Sequence, residues 1–428
     1  MLRGLSQEPE MTAYKVVTLL ASSFFLALVA MAVHESSVYF MSAASLSVLL
    51  VAYLASRISL RSLGCSRTVI DRVFDGDQVK IEVALVNRSR LPKFLITVED
   101  TLSPWLETEV APRFLVPALW PGQEVVVSYE ARARRRGLLE VGPIQLSSGD
   151  PLGVLTQRRS FPEMSQALIY PRPVEIGSGR IPASEQYGAI VSRENVAARE
   201  GLEFFGVRNY QPGDELRHVH WKATARLGRL TVIEFEQDSS PELKLVLDLQ
   251  RGTEIGQDIE TTLEYGVKIA ASLAAHAIAI GGGLTFEARD SHEHYQLEIG
   301  GSDQLLQLYE VLALVKADGP EPVSHLVSGA ASRLKPGGSV TVITPSVTPM
   351  LVEAVGELLF RRARPELLWL QGASFDGSRG PNLARQEQME GLAEHLESLA
   401  VPVTRIKRGD HLGEILEKTN GRARQLAF

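Results

Sequence analysis

The sequence of 428 residues contains a single cysteine, Cys65, and this scarcity limits the chemistry available to the chain. One cysteine excludes an intrachain disulfide and any zinc site built from several thiolates. It is also typical of a protein whose bulk lies in a reducing compartment. We therefore expect a fold without covalent crosslinks or a structural zinc ion.

Familiar motifs of catalysis and nucleotide binding are also missing. The chain has no Gly-x-Ser-x-Gly, no Gly-x-x-x-x-Gly-Lys and no Gly-x-Gly-x-x-Gly after a strand. Gly281-Gly282-Gly283 connects a predicted helix to a predicted strand, which is the opposite polarity to a phosphate-binding loop. The sequence therefore predicts no catalytic residue and no cofactor.

An excess of positive charge is absent too. Lysine and arginine number 44 against 51 aspartates and glutamates, for a formal net charge of −7 at pH 7. Proteins that bind nucleic acid generally show a basic excess. The charge balance therefore argues against nucleic acid as a partner.

Two long apolar runs, residues 13–33 and 37–56, stand near the N-terminus, and only His34-Glu35-Ser36 separates them. Each is close to the roughly 20 residues that span a bilayer. No convincing small-residue cleavage site follows the first run, so a removed signal peptide is a poor explanation. The sequence predicts two retained transmembrane helices in a tight hairpin, with small residues around Ala43-Ala44-Ser45 suited to close helix packing.

Basic residues predict the orientation of this hairpin. The connecting turn has no lysine or arginine, whereas both outer ends carry them: Arg3, Lys15, Arg57, Arg61, Arg67 and Arg72. Basic residues favour the cytoplasmic side. We expect a multi-pass protein of the inner or plasma membrane, with the bulk of the chain in the cytoplasm. An extracytoplasmic binding protein of reversed topology is a further alternative.

From about residue 69 to residue 170 apolar residues recur with a period of two, as in Val79, Ile81, Val83 and Leu85. Turn residues separate six or seven such runs, which is typical of a β-sandwich. One run is strongly basic, with Arg132, Arg134, Arg135 and Arg136. We interpret its first two arginines as a solvated strand edge, with anionic headgroups as the alternative contact.

The densest run of informative residues lies between Gly201 and Glu236. Residues 210–213 predict a turn, and Asp214 stands where a helix N-cap belongs. Apolar residues then recur at helical spacing up to Gly228, which predicts the end of the helix, and residues 230–235 predict a strand.

This segment resembles the signature of domain-of-unknown-function family 58. The matching pattern is Gly201-x-Glu203, then Arg208-x-Tyr210-x-x-Gly213-Asp214-x-x-Arg217-x-x-x-Trp221-Lys222-x-x-Ala225-Arg226. Members of this bacterial family typically carry a membrane hairpin, a β-rich domain, the signature and a von Willebrand factor A-like α/β domain. They are usually encoded beside MoxR-type AAA+ ATPases, so the resemblance implies such an ATPase as a partner.

After Pro241 apolar strands alternate with amphipathic helices, beginning with a strand at 243–248 and a helix from Asp258 to Ile280. Six strands and five helices are predicted up to residue 418. Such alternation predicts a mostly parallel sheet covered by helices on both faces. It fits a doubly wound von Willebrand factor A-like domain, with residues 295–299 as its short antiparallel strand.

The metal site of such domains is degenerate here. That site needs Asp-x-Ser-x-Ser after the first strand, whereas this chain reads Asp248-Leu249-Gln250-Arg251-Gly252. The later acidic ligand is also missing from residues 342–346. We predict no bound metal, and expect Asp248 to cap a helix or pair with a signature arginine. The pairs His218/His220 and His292/His294 lack a third ligand and are interpreted as surface histidines.

Two interpretations of the signature are open. In one it is a packed hinge, in which Asp214 caps the helix and Trp221 fills a gap. In the other it is a docking surface, because arginine and tryptophan are typical anchors of protein interfaces. The candidate interaction residues are Arg208, Tyr210, Asp214, Arg217, Trp221, Lys222 and Arg226.

The sequence thus predicts four parts: a membrane anchor (1–60), a β-sandwich domain (61–175), a loop with the signature (176–240) and the α/β domain (241–428). This organisation favours a non-enzymatic, membrane-anchored adaptor that works with a MoxR-type ATPase in assembling or remodelling a client. The alternative is a hydrolase that uses Glu203, Asp214 and His220 as acid–base groups, if these side chains converge.

Overall fold

The computed structural model describes residues 8–33, 36–69, 72–149, 156–176, 203–209, 221–236, 243–335, 337–376 and 383–417. Two compact units divide the chain, Met1–Tyr170 (unit 1) and Pro171–Phe428 (unit 2).

Unit 1 begins with two long helices, α1 (Glu8–Val33) and α2 (Ser36–Ser59). Tyr14–Val33 and Ser36–Ser59 have mean hydropathies of 2.5 and 1.9, and both are long and apolar enough to cross a membrane. The helices contact each other through small residues, where the Ser23 hydroxyl donates to the Ser45 hydroxyl at 2.6 Å. The predicted pair of apolar helices is confirmed, and the turn at residues 34–35 lies outside the described residues.

Ten strands follow in unit 1: β1 (Leu63–Val69), β2 (Val73–Phe74), β3 (Gln78–Asn87), β4 (Lys93–Leu102), β5 (Leu106–Glu107), β6 (Arg113–Leu119), β7 (Glu124–Ala133), β8 (Gly137–Gly149), β9 (Thr156–Phe161) and β10 (Ser165–Tyr170). They form a sheet of order β1-β3-β7-β5 and a sheet of order β2-β10-β8-β4-β6, in which β9 also pairs with β8. Six or seven strands were predicted, and part of the difference comes from β2 and β5, whose two residues each are too short for a period of two to show.

One hydrophobic core takes side chains from both sheets of unit 1. Val79, Ile81 and Leu85 on β3 are fully buried, as are Ile96 on β4 and Ile144 on β8. All five belong to the same cluster of contacting residues. The alternation seen in the sequence therefore marks the inward face of a central strand.

Unit 2 contains these elements: β11 (Glu203–Asn209), α3 (Trp221–Leu227), β12 (Thr231–Glu236), β13 (Leu243–Leu247), β14 (Gly256–Gln257), β15 (Glu260–Thr261), α4 (Thr262–Ala279), β16 (Leu284–Arg289), β17 (His294–Ile299), α5 (Ser302–Leu314), α6 (Val323–Arg333), β18 (Ser339–Thr344), α7 (Pro349–Phe360), β19 (Arg364–Leu370), α8 (Gly372–Phe375), α9 (Leu383–Ser398) and β20 (Val403–Ile406). The main sheet has the order β17-β16-β13-β18-β19-β20. Its strands are parallel except β17, which pairs antiparallel with β16, as predicted for this segment.

Helices cover both faces of the main sheet. On one face α4 packs closely at Gly266, where an added Cβ would lie 3.1 Å from Leu247 Cδ1. On the other face Trp369 of β19 belongs to one core with Val327 of α6 and Leu351 of α7. A sheet buried on both faces accounts for strands without polar alternation, such as β13.

Two helix predictions in unit 2 require correction. Helix α4 begins at Thr262 and not at Asp258, because residues 256–261 form the short β14–β15 hairpin. Asp258 there has a φ of 56°, and the Thr261 hydroxyl caps the helix by accepting from the Glu264 N–H. Helix α6 was not predicted, because its sequence is rich in Ser, Gly and Ala and has only three large apolar residues, Val323, Leu326 and Val327.

Replacing Thr348 with alanine is expected to destabilise α7 by about 1 kcal/mol, because a side-chain N-cap is lost. The Thr348 hydroxyl accepts from the Leu351 N–H at 3.2 Å, and Pro349 occupies the first helical turn. Hydrogen exchange of the α7 amides measures the change. Thr348→Ser, which keeps the hydroxyl, is the control, and equal exchange in both variants would contradict the cap's contribution.

Candidate functional site

The described part of the signature contains two antiparallel strands, and a short helix lies between them in the sequence. β11 and β12 pair antiparallel, with a register shift between Phe204 and Gly206. Helix α3 ends at Leu227, and Gly228 follows with a φ of 66°. This left-handed conformation favours glycine and confirms the predicted helix end.

Most candidate interaction side chains fall outside the described part of the chain. Tyr210, Asp214 and Arg217 lie outside the described residues, and for Arg208 and Lys222 only the backbone is described. The predicted N-cap at Asp214 and the docking interpretation of these residues are therefore untested. The same holds for convergence of the acid–base groups Glu203, Asp214 and His220, and for the loop at residues 177–199.

Trp221 and Arg226 are the two candidate residues whose side chains are described. The Trp221 side chain opens α3 with 67% of its surface exposed, and Leu230 just beyond the helix is 46% exposed. Ala225 and Arg226 are exposed as well. An indole that filled a gap would be covered, whereas that of Trp221 is largely exposed. We call Trp221, Ala225, Arg226 and Leu230 the α3 surface.

Asp248 occupies the carboxyl end of β13, where open α/β sheets bind their ligands. Its carboxylate accepts the Thr344 hydroxyl at 2.7 Å and the Gln250 N–H at 2.9 Å. Burial raises the pKa of this carboxyl, and the two hydrogen bonds oppose that effect. Asp248 thus closes the turn after β13 and ties it to the end of β18, which differs from the expected helix cap.

The cavity beside Asp248 is small. It measures about 10 Å³, which is room for a single water molecule. Across the described residues no group of three His, Cys, Asp or Glu side chains is arranged to hold a metal ion. Among the described residues, this end of β13 therefore has a turn closed by hydrogen bonds and a cavity too small for an organic ligand.

A buried carboxylate on β16 was not identified from the sequence. Glu287 is 0% exposed, and its Oε1 accepts Arg333 Nη2 at 2.7 Å and lies 3.1 Å from His294 Nε2. Lys244 Nζ, also buried, lies 3.6 Å from Oε2. His294 therefore adjoins an ion-pair network at the sheet edge, and both His292 and His294 are exposed, as predicted. The sequence did hold one indication of this carboxylate: Lys244 interrupts the otherwise apolar strand β13, and a buried lysine requires an acidic partner.

The basic run of unit 1 divides between surface and interior. Arg132 and Arg134 are exposed as predicted, and Arg134 pairs with Glu107. Arg135 lies over the Trp105 ring, with Cζ 5.1 Å from the centroid, whereas Arg136 is 7% exposed. The run is therefore only partly a solvated edge.

Arg67 requires a correction of a different kind. It was counted with the basic residues that flank the membrane helices, yet its side chain is 0% exposed and pairs with Asp100. Period-two spacing places it on the same face of β1 as Leu63 and Cys65, which are buried. That alternation could have predicted from the sequence that Arg67 is buried. Arg57 and Arg61 remain exposed beside the end of α2.

Comparison with known proteins gives a family without an assigned activity. Residues 206–337 match the model of the family described as "Protein of unknown function DUF58". The "Uncharacterized protein YeaD" of Bacillus subtilis (strain 168) is 25% identical over 294 residues, covering 67% of this chain and 71% of that protein.

Solved structures give weak likenesses. The VWA domain of SpRpn10 is 9% identical and has a TM-score of 0.28, covering 41% of this chain and 93% of that domain. A chain from the complex of zinc 2-glycoprotein and prolactin inducible protein from human seminal plasma is 11% identical with a TM-score of 0.21. That match covers 26% of this chain and 98% of the other.

Proposed function

The chain belongs to the DUF58 family, and from this premise we propose that it is a non-enzymatic, membrane-anchored adaptor. In this proposal it works with a MoxR-type AAA+ ATPase in the assembly or remodelling of a client protein at the membrane. The ATPase enters through the family resemblance. The finer architecture is also part of the proposal: an anchor, a β-sandwich, the signature segment and a von Willebrand factor A-like α/β domain, divided near residues 60, 175 and 240.

The α3 surface is the observation that carries this proposal. Trp221 and Arg226 are both exposed on α3, and tryptophan and arginine are residue types enriched at interface hot spots, because both side chains contribute large contact areas on desolvation. The α3 surface lies within the signature segment, residues 201–236, on which the family resemblance rests. The ATPase is therefore proposed to bind the α3 surface.

Membrane anchoring is supported by the length and hydropathy of α1 and α2. The proposed orientation places the chain after α2 in the cytoplasm, because Arg57 in the last turn of that helix and Arg61 just after it are exposed. An AAA+ ATPase partner requires the cytoplasmic side for its nucleotide. Anchor and partner are thus consistent with a single topology.

Crosslinking in native cells tests the adaptor proposal. The full-length protein is crosslinked in its membrane, and captured proteins are identified by mass spectrometry. We expect wild type to capture a MoxR-type ATPase, and Trp221→Ala to reduce that capture by about tenfold or more, as for a hot-spot residue. Arg226→Glu is expected to act in the same direction, since it reverses an exposed charge.

Phe360→Ala provides the matched control. Phe360 is 90% exposed at the end of α7, so its loss removes another surface aromatic of unit 2 outside the signature. Capture is expected to be unchanged in this variant. Capture of the ATPase that is equal in wild type and Trp221→Ala would exclude the α3 surface, and no ATPase capture by wild type would overturn the adaptor proposal.

A further inference from the structure

Two turns of unit 1 lie where the chain leaves α2. The β3–β4 turn (residues 88–92) and the β6–β7 turn (residues 120–123) share one end of the sheets, because the first residue of β4 pairs with the last residue of β6. The first residue of β1 pairs with the last residue of β3, so β1 also starts at this end. Since α2 ends just before β1, both turns adjoin the end of a candidate membrane span.

Hydrogen bonds hold these turns against the end of α2. The Lys93 ammonium donates to the Ile58 carbonyl in the last turn of the helix. The Arg88 N–H donates to the Ser62 carbonyl at 3.0 Å, and the Gly122 N–H links the second turn to the first. The position of the turns relative to α2 is therefore fixed by direct contacts.

Large apolar side chains on these turns and at the start of β4 are exposed. Leu91, Phe94, Leu95 and Trp120 are 54%, 47%, 42% and 59% exposed, and we call them the apolar rim. Their backbone neighbour Lys93 is in contrast 2% exposed. Apolar side chains gathered at one end mark an interaction surface, and tryptophan is enriched at the level of lipid headgroups.

The charge around the apolar rim is predominantly positive. Arg57, Arg61, Arg88 and Arg90 are exposed there, and residues 57–63, 88–95 and 119–123 contain no aspartate or glutamate. One exposed acid, Glu124, follows the β6–β7 turn at the start of β7. Apolar residues flanked by arginines match a membrane surface that carries anionic lipid, since the rings and aliphatic chains enter the interface and the guanidinium groups meet phosphate.

We propose that the apolar rim and its four arginines contact the headgroup layer of the membrane that holds α1 and α2, with anionic phospholipid as the preferred partner. This inference rests on the membrane anchoring proposed above and adds a second membrane contact to it. The contact holds the rim end of unit 1 against the bilayer, so the β-sheets project from the membrane in one orientation.

Single-cysteine labelling of the full-length protein tests this contact. In a Cys65→Ala background, Leu91→Cys and Trp120→Cys each place an environment-sensitive fluorophore on the rim. Val110→Cys, 78% exposed in the β5–β6 connection at the opposite end of the sheets, is the matched control. Phe24→Cys, 68% exposed on α1, reports the anchor itself. Vesicles of phosphatidylcholine and phosphatidylglycerol carry spin-labelled lipid as the quencher.

We expect spin-labelled lipid to quench the fluorophore at positions 91 and 120 at least about threefold more strongly than at position 110. Quenching at 91 and 120 is expected to fall when phosphatidylglycerol is omitted. Quenching at 24 with equally low quenching at 91, 120 and 110 would overturn the rim contact and leave the anchor in place. Unchanged rim quenching without phosphatidylglycerol would overturn the preference for anionic lipid. No quenching at 24 would overturn the anchoring, and the inference with it.

Discussion

Replacing Arg67 with alanine is expected to lower the free energy of unfolding of unit 1 by about 3–5 kcal/mol, the cost of leaving a buried charge without its partner. Arg67 and Asp100 side chains are 0% and 1% exposed. The guanidinium donates from Nε to Asp100 Oδ2 at 3.1 Å and from Nη1 to the carbonyls of Val141 and Glu163. Alanine removes all of these bonds and the only cation paired with Asp100 among the described contacts.

The remaining bonds cannot replace that cation. Asp100 still accepts the Tyr129 hydroxyl at 2.6 Å, and burial together with this bond raises the pKa of Tyr129. A neutral hydroxyl offsets only part of the cost of burying a carboxylate. Changing both partners, in Arg67→Met with Asp100→Leu, is expected to recover most of the loss, because neither charge then remains in the interior.

Cys65 provides the measurement for unit 1. This sole cysteine is 8% exposed, and burial raises the pKa of its thiol to about 11, so alkylation of the intact protein requires unit 1 to open. The urea dependence of alkylation yields the free energy of opening. Arg134→Ala breaks an exposed pair and is expected to change it by less than about 1 kcal/mol. An equally small change in Arg67→Ala would show that the buried pair is not needed.

Replacing Glu366 with glutamine is expected to stabilise unit 2 at alkaline pH by about 3 kcal/mol. Glu366 lies on β19 and is 7% exposed, and it accepts a long hydrogen bond from the Thr341 hydroxyl at 3.4 Å. Burial raises the pKa of its carboxyl from 4.5 to about 7, against the smaller opposing effect of that bond. Folding above pH 7 therefore requires an ionised carboxylate to be buried, which glutamine avoids.

The sign of the pH dependence follows from this raised pKa. The folded protein holds the proton more tightly than the unfolded chain, so the contribution of Glu366 to stability is present below about pH 4.5 and is lost as the pH rises through about 7. We expect Glu366→Gln to match wild type near pH 4 and to exceed it near pH 8.

Urea unfolding of unit 2 at the two pH values measures this difference. Pulse proteolysis, which cleaves only unfolded chains, reports the fraction of unit 2 that is unfolded. Glu353→Gln changes an exposed carboxylate on α7 and is the control, with no expected pH-dependent gain. A gain for Glu366→Gln that is equal at both pH values, or a loss at alkaline pH, would contradict the assignment.

Local patterns predicted the elements better than the contacts between them. The strand predicted at residues 339–344 coincides with β18, because its apolar residues are bounded by glycine and proline. The pair Arg67–Asp100 was not predicted, since its partners are 33 residues apart in sequence and meet only through the packing of two strands. The alternation of buried and exposed residues along β1 indicates that Arg67 points inward, but it does not indicate which acidic residue pairs with Arg67.

In the candidate site too, local features were predicted from the sequence and contacts between distant residues were not. Helical spacing and Gly228 predicted the end of α3, which is a local property. Whether Trp221 is covered depends on what packs around α3, and no spacing encodes that. The same limit applies to Asp248, whose hydroxyl donor Thr344 is 96 residues away.

The order of strands in unit 2 has a consequence for synthesis of the chain. β13 lies in the middle of the main sheet between β16 and β18, and all five of its residues are buried in the finished fold. Its β18 partner leaves the ribosome roughly 90 residues later, which at ordinary elongation rates is about 5–20 s. During that interval one hydrogen-bonding edge of an apolar strand has no partner, which leaves the nascent chain open to edge-to-edge pairing with other chains.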